Sequence, residues 1–216
     1  MQLSYTIEDE PAEFIPGYGQ SYRSMIKINP DIISRIWDHR LALGSNVSDR
    51  VIDIIEKYGM AHLDKEFMEQ DAKNESLHQE MVKFHLYHWL YDCVASLDAI
   101  ACLLNIKFGV LRNPIQVAMT WDFIGELKMK DQSIGTLLSE EFHWMDELKK
   151  MRHCIIHREG RLVVGGGTEP CVVIDFSRGL VRGLPLHRER IQEITEKYTI
   201  KLDAFMERIL SVIVKW

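Results

Sequence analysis

Several patterns that mark other protein classes are missing from this chain of 216 residues. No window of about 18 residues is free of charge, and the acidic N-terminus lacks a basic segment followed by an apolar one. No Cys-x-x-Cys pair occurs among the four cysteines, which are Cys93, Cys102, Cys154 and Cys171. We therefore expect reduced thiols, no membrane association and a cytoplasmic location.

Motifs for phosphate loops and for zinc proteases are also missing. The glycine run Gly165-Gly166-Gly167 lacks the framework of a phosphate-binding loop and does not open a helix, so it predicts a turn. No His-Glu-x-x-His motif occurs. The sequence gives no reason to expect a cofactor.

The charge distribution is uneven. The chain carries a net charge of -6, which argues against nonspecific coating of nucleic acid. Residues 149–190 nevertheless contain nine basic and four acidic residues, a net charge of +5, so the remainder carries -11. A basic segment on an acidic body suits an anionic ligand, whereas a solvated helix face with locally paired charges is the alternative.

Apolar periodicity predicts a mainly α fold, a helical bundle of about five or six helices. We expect residues 1–76 to form an N-terminal arm and helices that pack on the bundle, and residues 77–216 to form the main helical domain. The pattern changes to an extended one at about 161–176, which predicts a small β-hairpin before the last helix. The predicted helices span about 30–44, 45–68, 77–107, 117–129, 139–158 and 186–216.

The segment 77–107 is the most apolar of these helices, and we expect it at the centre of the core. Its stripe consists of Met81, Phe84, Tyr87, Leu90, Tyr91, Val94, Leu97, Ile100, Ala101 and Leu104. In the helix 139–158, by contrast, Arg152 falls inside an apolar arc of roughly 140° at 100° per residue. A buried guanidinium needs an anion or a carboxylate, although a long stem can also cover apolar surface and keep its head in water.

Two histidines follow at once in the hexapeptide Arg152-His153-Cys154-Ile155-Ile156-His157. A histidine can transfer a proton and a guanidinium can neutralise charge on a phosphorane, which is sufficient for RNA cleavage without metal. A positively charged His157 capping the helix C-terminus is the structural alternative.

This hexapeptide resembles the Arg-polar-x3-His signature of the HEPN superfamily, whose members include nucleotide-binding domains and RNases of prokaryotic defence and toxin–antitoxin systems. The resemblance implies that Arg152 and His157 are the catalytic pair and that His153 supports them. It also implies a homodimer with both signatures in one cleft, RNA or a nucleotide as ligand, and in some cases a cognate antitoxin. A histidine stands where Asn or Asp is more usual after the arginine, and some family members bind nucleotides or partners without cleaving RNA.

Two further sets of residues carry predictions. Asp98 lies in the apolar stripe of the segment 77–107, and Arg152 is the partner we expect for it if it is buried; an exposed position on the polar edge is the alternative. His85, His88 and Asp92 lie on one helical face and form the rival prediction, a metal site in a metallohydrolase. A noncatalytic nucleotide-binding or protein-interaction module is the other alternative to a metal-independent endoribonuclease.

Overall fold

The computed structural model describes residues 45–73, 79–111, 113, 117–157, 161–165, 171–175 and 188–216. This part of the chain is mainly α-helical, which confirms the predicted fold class. Its five helices are α1 (Ser45–Lys73), α2 (Gln79–Phe108), α3 (Trp121–Lys130), α4 (Gln132–His157) and α5 (Ile191–Ile213). The predicted N-terminal arm and the helix predicted at 30–44 lie outside the described residues.

Helix α2 occupies the centre of the apolar core. It has its most extensive contact with α1 and also packs against α4. Leu86, Trp89 and Leu97 on α2 are fully buried, and Tyr198 and Phe205 on α5 belong to the same core. Burial of such large apolar side chains is the main stabilising term in a fold of this size.

Part of the apolar stripe predicted for α2 is not in the core. Leu90, Val94, Leu97, Ile100, Ala101 and Leu104 are buried as expected. The prediction is wrong for Met81, Phe84 and Tyr91, whose exposed fractions are 45%, 49% and 51%. A helix that is apolar nearly all round does not reveal by periodicity which of its sides the neighbouring helices cover.

Helix α4 begins seven residues earlier than predicted, because the segment expected to break the helix starts it. The carboxylate of Asp131 accepts a hydrogen bond from the backbone N–H of Ile134 at 2.9 Å, as an N-cap residue does. Ser139, the expected cap, lies inside the helix and donates its hydroxyl to the carbonyl of Gly135 at 2.6 Å.

The backbone after α4 contains strands β1 (Arg161–Gly165), β2 (Cys171–Asp175) and β3 (Arg188–Arg190). They pair antiparallel in the order β1-β2-β3, with Val163 opposite Val173. Residues 166–170, where the turn was predicted, lie outside the described residues, as do the side chains of β1 and β2. The β-hairpin as a folded unit therefore stays a prediction.

One described stretch, Met81–Phe108 of α2, has the length and apolar composition that would allow it to cross a membrane. Two thirds of its most apolar window is buried inside the fold. A core helix of a soluble protein gives the same signal, so this stretch is weak evidence for a membrane span.

Gly135 provides a test of the packing between α3 and α4. A Cβ added there would lie 2.4 Å from the backbone Cα of Lys128, whereas a Cβ added to Gly125 of α3 would meet nothing within 4 Å. Gly135→Ala should therefore lower the free energy of unfolding by about 1 to 3 kcal/mol. Gly125→Ala should leave it unchanged or raise it by about 0.5 to 1 kcal/mol. Urea unfolding followed by circular dichroism measures both, and equal effects of the two variants would contradict this packing.

Candidate functional site

A pocket of about 250 Å³ lies where α1, α2 and α4 meet. Helix α1 contributes two cations and a carboxylate, α2 contributes most of the wall, and α4 contributes a single arginine. The lining residues are Arg50, Asp53, Lys57, Tyr91, Val94, Ala95, Asp98, Ala99, Cys102 and Arg152.

Arg152 reaches this pocket from the apolar side of α4. Its neighbours Met151 and Ile155 are buried, and its own Nε is buried without a hydrogen-bond partner. The guanidinium carbon lies 5.3 Å from the centre of the Tyr91 ring, a cation–π arrangement. No carboxylate among the described residues forms an ion pair with Arg152. Among the described residues, the guanidinium in this pocket contacts an aromatic ring and has no carboxylate partner.

The two cations of α1 share one carboxylate. Asp53 lies 2.8 Å from the Nζ of Lys57 and 3.5 Å from an Nη atom of Arg50. The hydrogen bond that Lys57 donates to Asp53 raises the pKa of Lys57, so this ammonium is charged at neutral pH. One negative charge is therefore shared by two positive charges at this wall of the pocket.

Asp98 has a different partner from the one predicted. Its carboxylate accepts hydrogen bonds from the Nζ of Lys149 at 2.8 Å and from the backbone N–H of Met119 at 2.9 Å. Lys149 also donates to the carbonyl of Met119 at 2.6 Å. The expected pair with Arg152 is wrong, because Lys149 precedes it by almost one helical turn and neutralises Asp98 first.

These pairings leave the pocket positively charged. Four cations, including Lys149 at its edge, face the carboxylates of Asp53 and Asp98. Among the described residues, Arg152 is the one of these four without a carboxylate partner. The wall also contains the thiol of Cys102, whose pKa is raised by burial, so it is protonated at neutral pH. An incoming anion would complete the charge balance.

Neither histidine of the sequence signature is found among the described residues that line the pocket. His157 is the last residue of α4, but its side chain is not among the described ones. His153 is exposed and does not line the pocket. Arg152 and His157 thus share one helix end, and their action as a pair stays a prediction.

Comparison of the chain with family models, curated proteins and solved structures finds no match. The resemblance to HEPN domains therefore depends on the residues of the signature.

The structure does not bring the three residues of the rival metal site together around one point, and two of them contact other side chains. His85 shares a hydrogen bond of 2.9 Å with Asp64, and exposed His88 packs on the ring of Phe84. Among the described residues, no group of three His, Cys, Asp or Glu side chains is arranged to hold a metal ion. Asp92 is 9% exposed, and its burial is the largest cause that raises its pKa to about 6.

The sequence did not predict Arg50, Asp53 and Lys57 in the pocket wall, nor Lys149 beside it. Arg50, Asp53 and Lys57 follow one another at spacings of three and four residues, which indicates one helical face but not the distant helix that it approaches. Lys149 precedes Arg152 by three residues, and this spacing could have identified it as a competing partner for Asp98.

The pKa of Asp92 gives a test of its burial. The folded state keeps the proton up to about pH 6, whereas the unfolded chain releases it near the ordinary value of 3.8. The contribution of Asp92 to the free energy of unfolding therefore falls as the pH rises between these values. Asp92→Asn should exceed the wild type in stability by about 1 to 3 kcal/mol at pH 7.5 and by little near pH 4.

Urea unfolding at several pH values measures this difference. Asp146→Asn is the matched control, because Asp146 is 36% exposed and pairs with Lys150 on the surface, where it should contribute little at any pH. A constant difference between wild type and Asp92→Asn across the pH range would contradict the assignment.

Proposed function

We propose that this protein binds the phosphate of RNA or of a nucleotide in the Arg152 pocket, and that Arg152 and His157 cleave RNA there without a metal ion. The observation that carries the proposal is the guanidinium of Arg152, which lines a cationic pocket and has no carboxylate partner among the described residues. Metal-independent cleavage rests in addition on the sequence signature.

A phosphate fits this pocket in charge and in size. A guanidinium donates two parallel hydrogen bonds to phosphate oxygens, and the neighbouring Arg50 and Lys57 add long-range attraction. The volume of about 250 Å³ lies below the range of pockets that enclose drug-sized ligands. It suits a phosphate with part of a ribose and leaves the base outside.

The cleavage chemistry assigns separate tasks to the two signature residues. Arg152 stabilises the negative charge that develops on the scissile phosphate, and His157 transfers a proton from the 2′-hydroxyl or to the leaving 5′-oxygen. Five residues of helix separate them by about 7.5 Å along the axis and about 140° around it. His153 is the accessory residue beside them. Asp98 fixes the position of the pocket wall through its ion pair with Lys149.

The family resemblance supplies the biological setting of the proposal. In that setting the protein is a cytoplasmic homodimer of bundle-type HEPN domains, with the two signatures in one cleft. Its role is in defence or in a toxin–antitoxin system. A cognate antitoxin protein is the partner expected in that setting.

A noncatalytic nucleotide-binding module is the second candidate. One observation favours it: the described residues that line the pocket include cations, carboxylates and an aromatic ring, but no histidine. Such a lining holds a phosphate without supplying a base near the ordinary pKa of histidine.

The test is a labelled single-stranded RNA incubated with the protein in EDTA. Arg152→Ala should weaken RNA binding about 10- to 100-fold, since a hydrogen bond to a charged group contributes about 1.5 to 3 kcal/mol. The wild type should produce 2′,3′-cyclic phosphate ends, and both Arg152→Ala and His157→Ala should abolish them.

Arg208→Ala is the matched control, because this surface arginine pairs with Glu140 and Glu141 and lies outside the pocket. Binding that depends on Arg152, without cleavage by the wild type across varied RNAs, would select the noncatalytic module. Equal binding by wild type and Arg152→Ala would overturn the proposed function.

A further inference from the structure

Helix α2 carries an aromatic ridge, which we define as Phe84, His88 and Tyr91. These residues follow one another at spacings of four and three, and therefore lie on one face of the helix. Phe84 is 49% exposed, Tyr91 is 51% exposed and His88 is exposed as well. The rings of Phe84 and His88 lie 4.2 Å apart between centroids, with 34° between their planes.

The ridge ends at the cationic pocket. Tyr91 belongs to both, since it lines the pocket and the guanidinium of Arg152 lies over its ring. Further along the same face, Ala95 and Asp98 continue the pocket wall. The exposed aromatic rings and the wall of the phosphate-sized cationic pocket thus follow one another along the same face of α2.

Exposed apolar side chains that occur singly need no explanation, but three aromatic rings in line with a cationic pocket do. Proteins that bind single-stranded nucleic acid combine stacking rings for the bases with cations for the backbone. Asp64 and Asp92, whose charges act on His88, are only 5% and 9% exposed.

We propose that the aromatic ridge stacks the unpaired bases of a single-stranded nucleic acid whose phosphate occupies the Arg152 pocket. This inference rests on the proposed function and adds a second subsite to it. From residue 84 to residue 91 the helix rises about 10 Å. That length accommodates about three stacked nucleotides at 3.4 Å each. Phe84 therefore contacts the nucleotide furthest from the pocket.

The experiment compares ligands of two lengths. Fluorescence anisotropy measures the affinities of a labelled 2′-O-methyl hexauridylate and of the corresponding dinucleotide, which cannot be cleaved through a 2′-hydroxyl. Phe84→Ala should weaken hexanucleotide binding about 5- to 150-fold, because stacking on an aromatic side chain contributes about 1 to 3 kcal/mol per base. The dinucleotide reaches only Tyr91, so its affinity for Phe84→Ala should equal its affinity for the wild type.

Two control variants separate stacking from other effects. Trp121→Ala removes another exposed aromatic side chain, 58% exposed on α3, and should leave both affinities unchanged. Phe84→Trp retains a stacking ring and should retain hexanucleotide binding. Circular dichroism melting checks that every variant is folded, and mass photometry reports its oligomeric state.

Each outcome supports or overturns the ridge separately from the pocket. If Arg152→Ala no longer binds the hexanucleotide while Phe84→Ala binds it normally, the proposed stacking on the ridge is wrong and the proposed function stands. If the wild type binds neither oligonucleotide, the proposed function fails and the ridge fails with it. Loss of dinucleotide binding in Phe84→Ala, or conversion of a dimer to a monomer with an unchanged affinity per site, would also overturn stacking.

Discussion

The position of Arg152 within the apolar arc of α4 is the constraint on which the candidate site depends. Its neighbours are buried, so its stem must cross apolar surface before the guanidinium reaches the junction with α1 and α2. Within the described part of the chain, the Nε of this guanidinium is buried without a hydrogen-bond partner, and the ring of Tyr91 makes a cation–π contact with it. An anionic ligand would supply the counter-charge.

The surrounding ion pairs keep that guanidinium available. Lys149 takes the carboxylate of Asp98, and Arg50 and Lys57 take that of Asp53. The Asp98–Lys149 pair also binds the backbone of Met119 and so connects α2, α4 and the segment before α3. The same contacts that connect the helices therefore determine the charge of the pocket.

The sequence predicted features that depend on local periodicity and missed those that depend on distant packing. The mainly α fold, the end of α4 near residue 157 and the unusual place of Arg152 follow from spacing along single helices. The break predicted over Asp131–Gly135 is confined to Asp131, which ends α3, and Gly135 lies inside α4. In the structure one caps α4, and the other permits close approach to Lys128. The cations of α1 come from about 100 residues away in sequence, which no spacing rule connects to Arg152.

The most direct measurement of the central claim is a titration of the protein with inorganic phosphate and then with uridine monophosphate, in EDTA. Two-dimensional NMR of the arginine Nε–H groups follows the titration, and the signal of Arg152 is assigned by its loss in Arg152→Lys. A saturable shift of the Arg152 signal, with the signal of Arg208 unchanged, is the predicted result. An Arg152 signal that does not move at saturating ligand, or that moves only as all arginine signals do, would contradict an anion site in this pocket.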